Sequence, residues 1–327
     1  MKKQNGLIAA AVAVALASPA YAAEVTLSGA VEVEAAMVED FAGAKTTDIV
    51  VATAAVGLDA TINDRVSATV NLLFEEDDTP FGLDEGYVTL QMNKTTSLIA
   101  GRVYVPFGTF ESNMVSDPQT LELGETSETI LMVSEESGKV SGSIYAFSGD
   151  VDEASEAPDN SALSFGANIA IATDNFTVGA SYISNIAETG ALEGVNPGST
   201  VDATVAGYGV SFGYTKANLS VIAEHVTAVE GFTNGDLGGA ISNEEQPRAT
   251  NVEVAFALQN GATLAAAYQI TSETAFLGLP KYVTSVAYTF EPMKDVSMGI
   301  EYAAMEDFAV NDSETGTAFT AQLAVEF

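Results

Sequence analysis

The chemistry open to this chain of 327 residues is carried mainly by carboxylates: 45 Asp and Glu stand against 11 Lys and Arg, a formal net charge of −34, with one His and no Cys. Glu85, Glu224, Glu253 and Glu301 fall at similar heights in separate segments of alternating polarity. They are accompanied by Tyr87, Tyr104 and one guanidinium, Arg102. A second acidic set, Glu111, Asp117, Glu122 and Glu125, lies in the polar stretch 107–128. Carboxylates arranged in this way act electrostatically. Around a water-filled passage they would raise the local concentration of cations, a field that Arg102 alone would hardly offset. Arg102 has a second, compatible reading as the partner of Glu85 on the adjacent segment, holding register.

Covalent chemistries fall away on inspection. The absence of Cys removes disulfides and thiolates. His225 stands at the outer end of its segment on the apolar parity, with no Ser or Asp placed to orient it. It reads as an interface residue and not as a general base. No His/Cys zinc spacing, phosphate loop or nucleotide fingerprint is present, so neither an enzyme nor a resident cofactor is expected. Acidic runs such as Glu75-Glu76-Asp77-Asp78 offer hard oxygen donors to Ca²⁺ or Mg²⁺, weakly and without the EF-hand pattern. So acidic a chain repels phosphate, which excludes nucleic acid as a partner.

The elements that must position these carboxylates are strands. Val25, Leu27, Val31, Val33, Ala35 and Met37 share one parity while Thr26, Ser28, Glu32 and Glu34 share the other, a period of two that splits a strand into an apolar and a polar face. The same alternation places Val50, Ala52, Ala54, Val56, Leu58 and Ala60 on one face of the next segment. Sixteen such segments follow one another, centred near Val31, Ala54, Val70, Val88, Gly101, Met132, Ile144, Ala167, Ala180, Gly207, Ala223, Val254, Ala266, Val286, Ile300 and Leu323. Their connections alternate between short turn clusters, such as Asn63-Asp64-Arg65 and Thr173-Asp174-Asn175, and long stretches at 107–128, 149–160, 186–200 and 229–248.

The chain opens with Lys2 and Lys3, an apolar run over 7–17 and the small-residue site Ala20-Tyr21-Ala22. This is the pattern of an export signal cleaved after Ala22, too short to span a bilayer. Residues 23–327 then form the mature part. Export, a period of two, short turns at one end, long loops at the other and an even strand count together predict an all-β fold. It is a transmembrane antiparallel up-and-down β-barrel of about 16 strands in the bacterial outer membrane, with short periplasmic turns and long external loops. Phe74, Tyr182, Phe212, Phe290, Tyr302 and Phe327 would anchor it at the interfaces in the absence of Trp. Lipid and lipopolysaccharide would surround it. A terminal Phe after alternating apolar residues is the kind of signal that the barrel-assembly machinery takes up.

With the apolar parity facing lipid, the other parity lines the lumen, and Glu32, Glu34, Thr69, Asn71, Gln91, Asn168, Asn251 and Gln269 join the residues above. Stretch 107–128 is too long and too rich in Phe107, Phe110, Leu121 and Leu123 for a free loop. It either folds into the barrel as a constriction, setting its acids in the pore, or caps the mouth from outside.

The segments 83–90 (LDEGYVTL), 101–108 (GRVYVPFG) and 110–118 (FESNMVSDP), with Gly278-Leu279-Pro280 and the ending 322–327 (QLAVEF), resemble the LbtU-type siderophore porin family of Gram-negative bacteria. The resemblance spans most of the mature chain and is most specific over 83–126. It implies an outer-membrane barrel that admits ferric siderophores without an energised plug. Members often carry an N-terminal coiled-coil extension, whereas here the first alternating segment follows the export signal directly. Three readings stay open: a passive channel for siderophore iron, a general cation-preferring diffusion porin, and a surface-binding barrel with a blocked lumen. A homo-oligomer is compatible with each.

Overall fold

The computed structural model describes residues 24–76, 79–153, 163–196, 200–233, 236–241, 243–308 and 314–327. The expected export segment and its cleavage after Ala22 lie outside the described residues, as do Asp77 and Asp78 of the first acidic run.

Alternation of apolar and polar residues produces strands throughout. They are β1 (Glu24–Glu39), β2 (Lys45–Asn63), β3 (Val66–Phe74), β4 (Gly82–Gln91), β5 (Thr96–Tyr104), β6 (Ser127–Ser137), β7 (Val140–Ser148), β8 (Asp152–Glu153), β9 (Leu163–Ala172) and β10 (Phe176–Ile183). They continue as β11 (Thr200–Val201), β12 (Gly207–Lys216), β13 (Leu219–Ala228), β14 (Arg248–Ala257), β15 (Thr263–Ser272), β16 (Tyr282–Met293), β17 (Val296–Glu306) and β18 (Thr315–Glu326). All but β8 and β11 close one antiparallel barrel in sequence order, while those two make a small parallel pair among the loops. Each expected centre lies within a barrel strand, although Gly207 is the first residue of β12 and not its middle.

One parity is corrected. Val33 pairs with Val51 whereas Glu32 pairs with Thr53, so Ala52 is an extra residue in a β-bulge. Beyond it the faces of β2 exchange. Ile49, 68% exposed, takes the outward face, and Val50 pairs with inward Glu34.

The seam is a β1–β18 ladder running from Ala30 opposite Glu326 to Glu39 opposite Thr317, extended by a reciprocal backbone pair between Gly29 and Phe327. A Cβ on Gly29 would stand 2.5 Å from the far edge of the exposed Phe327 ring and displace it. Outward aromatics gather towards both rims. Phe165 and Tyr182, Tyr208 and His225, and Tyr268 and Tyr282 pair near the long-loop end, and Phe176 and Tyr214 with Tyr288 and Phe290 near the other. The tyrosines among them are amphipathic rings of the kind that favour a membrane–water interface.

The short turns, 64–65, 138–139, 217–218 and 294–295 among them, share one end. At the other end the first connection, 40–44, is as short as turn 258–262, because β1 and β2 put their length into strand. Loops 149–162, 184–206 and 229–247 are long, and they pack on one another. Val151, Ile186, Leu192, Val201, Phe232 and Leu237 are buried in a single cluster with Val103, Phe107, Ile130 and Phe147. That cluster sits over the β5–β14 side, and no residue of β1–β4 or β15–β18 belongs to it.

Candidate functional site

Between β5 and β6 the chain does not turn outward. Val105 N–H donates to Thr126 C=O (2.9 Å) and closes a neck, beyond which the chain crosses the lumen. Gly108 N–H donates to Ser181 Oγ on β10 at 3.0 Å. Thr109 and Phe110 N–H donate to the Glu224 carboxylate on β13 at 2.6 and 3.0 Å. Asn113 N–H and Ser112 O–H reach Glu253 on β14 at 2.8 and 2.7 Å, and Val115 and Ser116 N–H share one oxygen of Glu301 on β17 at 2.7 and 3.0 Å. A short helix, Gln119–Gly124, brings the chain back, with Gln119 N–H on Gln269 Oε1 at 2.6 Å and Thr120 O–H on Glu224 at 3.0 Å. None of the strands supplying these acceptors adjoins β5.

An irregular backbone inside a barrel must find acceptors for its N–H groups, and ionised carboxylates are strong ones. The wall beneath is correspondingly small. Ala255, Ala265, Ala267, Ala287 and Ala303 are buried there, and a Cβ on Gly299 would come within 2.7 Å of Val115 Cγ2.

Glu224, Glu253 and Glu301 therefore do face inward, at 3%, 0% and 3% exposure, but they lie under the loop with their oxygens committed to it. Glu85 accepts from Asn71 Nδ2 at 2.7 Å on the inward face, and Tyr87, paired with Thr69, shares that face. Arg102 and Tyr104 are placed differently from expectation. They share the parity of Ala100, which stands opposite outward Leu131, while Val103 between them is buried in the inner cluster. Gly101, whose Cβ would collide with the backbone of Gly86, ends the inward polar run at that point. Tyr104 O–H donates to Asp84 at 2.8 Å, and the ion pairs among the described residues are Lys45–Glu39, Arg248–Glu273 and Lys294–Asp295, without Arg102 and Glu85.

The acids left facing water are others. Glu32 and Glu34 on β1 are bridged by the amide of Gln322, at 3.4 and 2.9 Å. Asp117, exposed at the loop's far end, lies within electrostatic reach of Glu32. Glu111 and Glu122 are also exposed. Partial enclosure in the lumen holds the Asp117 carboxyl above the usual range. Glu125, where the loop returns to β6, is pushed up to about 7, first by burial and then by the carboxylates of Asp117, Asp84, Glu122 and Glu75. The parity of β1 was the available signal for Glu32 and Glu34, whereas the approach of Asp117 to Glu32 depends on the path of the loop. No described Lys or Arg enters this gap: all lie at strand ends, turns or loops, or, for Arg102, on the outer face.

On the short-turn side of the loop a cavity of about 640 Å³ opens beneath Pro106, lined by Gln91, Ser97, Ser134, Ser143, Asn168 and Lys94. Among the described residues there is no group of three or more side chains able to hold a metal ion. His225 faces outward, its Nδ1 2.7 Å from Thr250 Oγ1.

A family model described as Gram-negative porin matches residues 9–324. A UPF0422 protein of Legionella pneumophila strain Lens is 26% identical over 90% of this chain, which spans 61% of that relative's length. Among solved structures, an anion-selective porin from Comamonas acidovorans superposes with a TM-score of 0.70 at 11% identity, over 94% of this chain and all of that one. The trimer form of OmpT from Vibrio cholerae gives 0.60 at 13%, again over 94% of this chain and all of that one.

Proposed function

The chain belongs to the Gram-negative porin family, and from that premise we propose that this outer-membrane diffusion channel passes small cations and neutral solutes in preference to anions. The observation that carries the reading is the gap between the loop and β1, where Asp117 lies within electrostatic reach of Glu32, Glu34 stands beside it under the Gln322 amide, and no described cation intrudes. In a narrow aqueous path walled by low-dielectric material, such an imbalance enriches cations. A Comamonas porin described as anion-selective shares the fold at 11% identity, so the barrel leaves the sign of selectivity open and the lining charges are what support the reading.

Glu85 and Tyr87 belong to this lining, and Glu111, Asp117, Glu122 and Glu125 supply the charge of the constriction. Glu224, Glu253 and Glu301 act by holding it in place. The measurement is the reversal potential in planar bilayers under a KCl gradient. A cation-preferring potential that weakens towards 1 M salt, where the Debye length falls to about 3 Å, is expected. Anion preference at low salt would overturn the proposal.

Siderophore iron remains the second reading, supported by the resemblance of 83–126. The acid lining restricts it to neutral or cationic ferric chelates. Cleavage after Ala22, recognition of the Phe327 end by the assembly machinery, Ca²⁺ or Mg²⁺ bridging of acidic outer loops to lipopolysaccharide, and a homo-oligomer complete the proposed setting. The oligomer is supported by the trimer form described for OmpT.

A further inference from the structure

The neck of the crossing loop contains a residue in an uncommon conformation. Phe110 has φ 51°, in the left-handed region that non-glycine residues seldom occupy and aromatic ones less often. Such strain persists only where the surroundings impose it. Here its ring folds back across Gly108, itself at φ 89°, so closely that a Cβ on Gly108 would overlap the ring edge. The same tip of the ring meets Gly124, the last residue of helix Gln119–Gly124, where a Cβ would stand 2.9 Å from Phe110 Cζ and 3.2 Å from Val226 Cγ1. The tip of the ring thus reaches both the outgoing and the returning limb of the loop, and the ring packs against the inner cluster. Beside it the Glu224 carboxylate accepts from both limbs, from Thr109 and Phe110 on one and Thr120 on the other.

The geometry points to Phe110 as a positioning residue of the channel, acting beside the carboxylates that hold the loop: its ring staples the two limbs and so helps to set how far the segment carrying Glu111 and Asp117 projects into the lumen. Two glycines bracketing one strained aromatic are what such a staple requires. A Cβ at 108 or 124 would intrude on the seat of the ring. Phe110 lies in no barrel strand and donates no ladder hydrogen bond, so its loss leaves the wall intact. The role rests on the channel reading and not on the sign of its selectivity, so it is tested by conductance and not by reversal potential.

The experiment uses full-length protein inserted in planar bilayers, with heat-modifiable migration as the check on barrel assembly. Phe110→Ala is expected to assemble as the parent does, yet to open to broadened, fluctuating levels with mean conductance raised roughly twofold, since conduction follows the aperture. Phe110→Leu, which keeps much of the apolar volume, should recover a narrower distribution. Gly124→Ala, which intrudes on the ring while leaving it present, should broaden the levels too. The double variant Phe110→Ala/Gly124→Ala should match Phe110→Ala alone, the non-additivity expected of residues in contact. Parent-like levels in both single alanine variants, or strictly additive effects in the double, would overturn the assignment. Should Phe110→Ala fail to assemble, Gly124→Ala decides alone: broadened levels support the staple and parent-like levels refute it.

Discussion

At the scale of single residues, the field of the channel is set by carboxylates with different tasks. Glu253 and Glu301 are buried and accept from backbone N–H groups of the loop, while on the proposed reading Asp117 and Glu125 act on solutes. Glu125 gives the proposed channel a charge that depends on pH. Its pKa, held up at about 7, is above that of an unfolded Glu, so its neutral form fits the folded site better. Its charge appears only as pH rises through 7. Cation preference should accordingly increase between pH 6 and pH 8, and Glu125→Gln should flatten that rise. Reversal potentials taken across the interval check it, and a parent-like slope in the Gln variant would remove Glu125 from the mechanism. The inward parity of Glu224, Glu253 and Glu301 was legible in the sequence. Their role was not, because each is defined by an acceptor contact with a segment more than a hundred positions away in the chain. Arg102 was misplaced for a simpler reason. A polar residue near a rim satisfies either face, so alternation alone cannot orient it, and the buried Val103 beside it is what does.

Among elements, the strands were the most readable part, since a two-residue period repeated sixteen times admits few other folds. What escaped was the bulge at Ala52, one of four register shifts in the barrel, where an extra alanine exchanges the faces of the outer half of β2. The face assignment has a direct test in β10 and β7. Val178 is half exposed and pairs with outward Phe212 and Ile171, whereas Ser141 stands on the parity of buried Tyr145. Val178→Arg should cost about 2–4 kcal/mol if it lies near the bilayer midplane and should cut assembly sharply, while Ser141→Arg meets water. Yields of folded, heat-modifiable barrel distinguish the two, and equal yields would reverse the faces. Ser181, another inward serine, is unsuitable for that comparison because its hydroxyl holds Gly108. The loop itself was readable as apolar enough to pack, and its choice between lumen and mouth was settled by acceptors on β13, β14 and β17 that no local pattern announces.

On the scale of the whole molecule, the two ends differ in construction. One carries tight turns and the other a packed cap over the β5–β14 side, with shorter connections at 40–44, 75–81 and 307–314 on the remaining side. A peptide tag inserted at Gly43, whose surroundings are open, should be reached by antibody on intact cells, and the same tag at 217–218 should be reached only after permeabilisation. Labelling confined to the second site would invert the orientation.

The β1–β18 seam also governs the order of events before any solute is carried. Every other ladder in the barrel joins neighbours along the chain, but this one must find Glu326 for Ala30, across the longest search the polypeptide offers. Loop-closure entropy sets that meeting last and makes it slow. Until it happens, two open strand edges remain available for pairing with other chains. The hazard in the life of this protein is therefore concentrated in one interval, between the fifteenth ladder and the sixteenth. A variant that weakens the fit of the Phe327 ring over Gly29 should lengthen that interval while leaving the finished barrel's conductance unchanged.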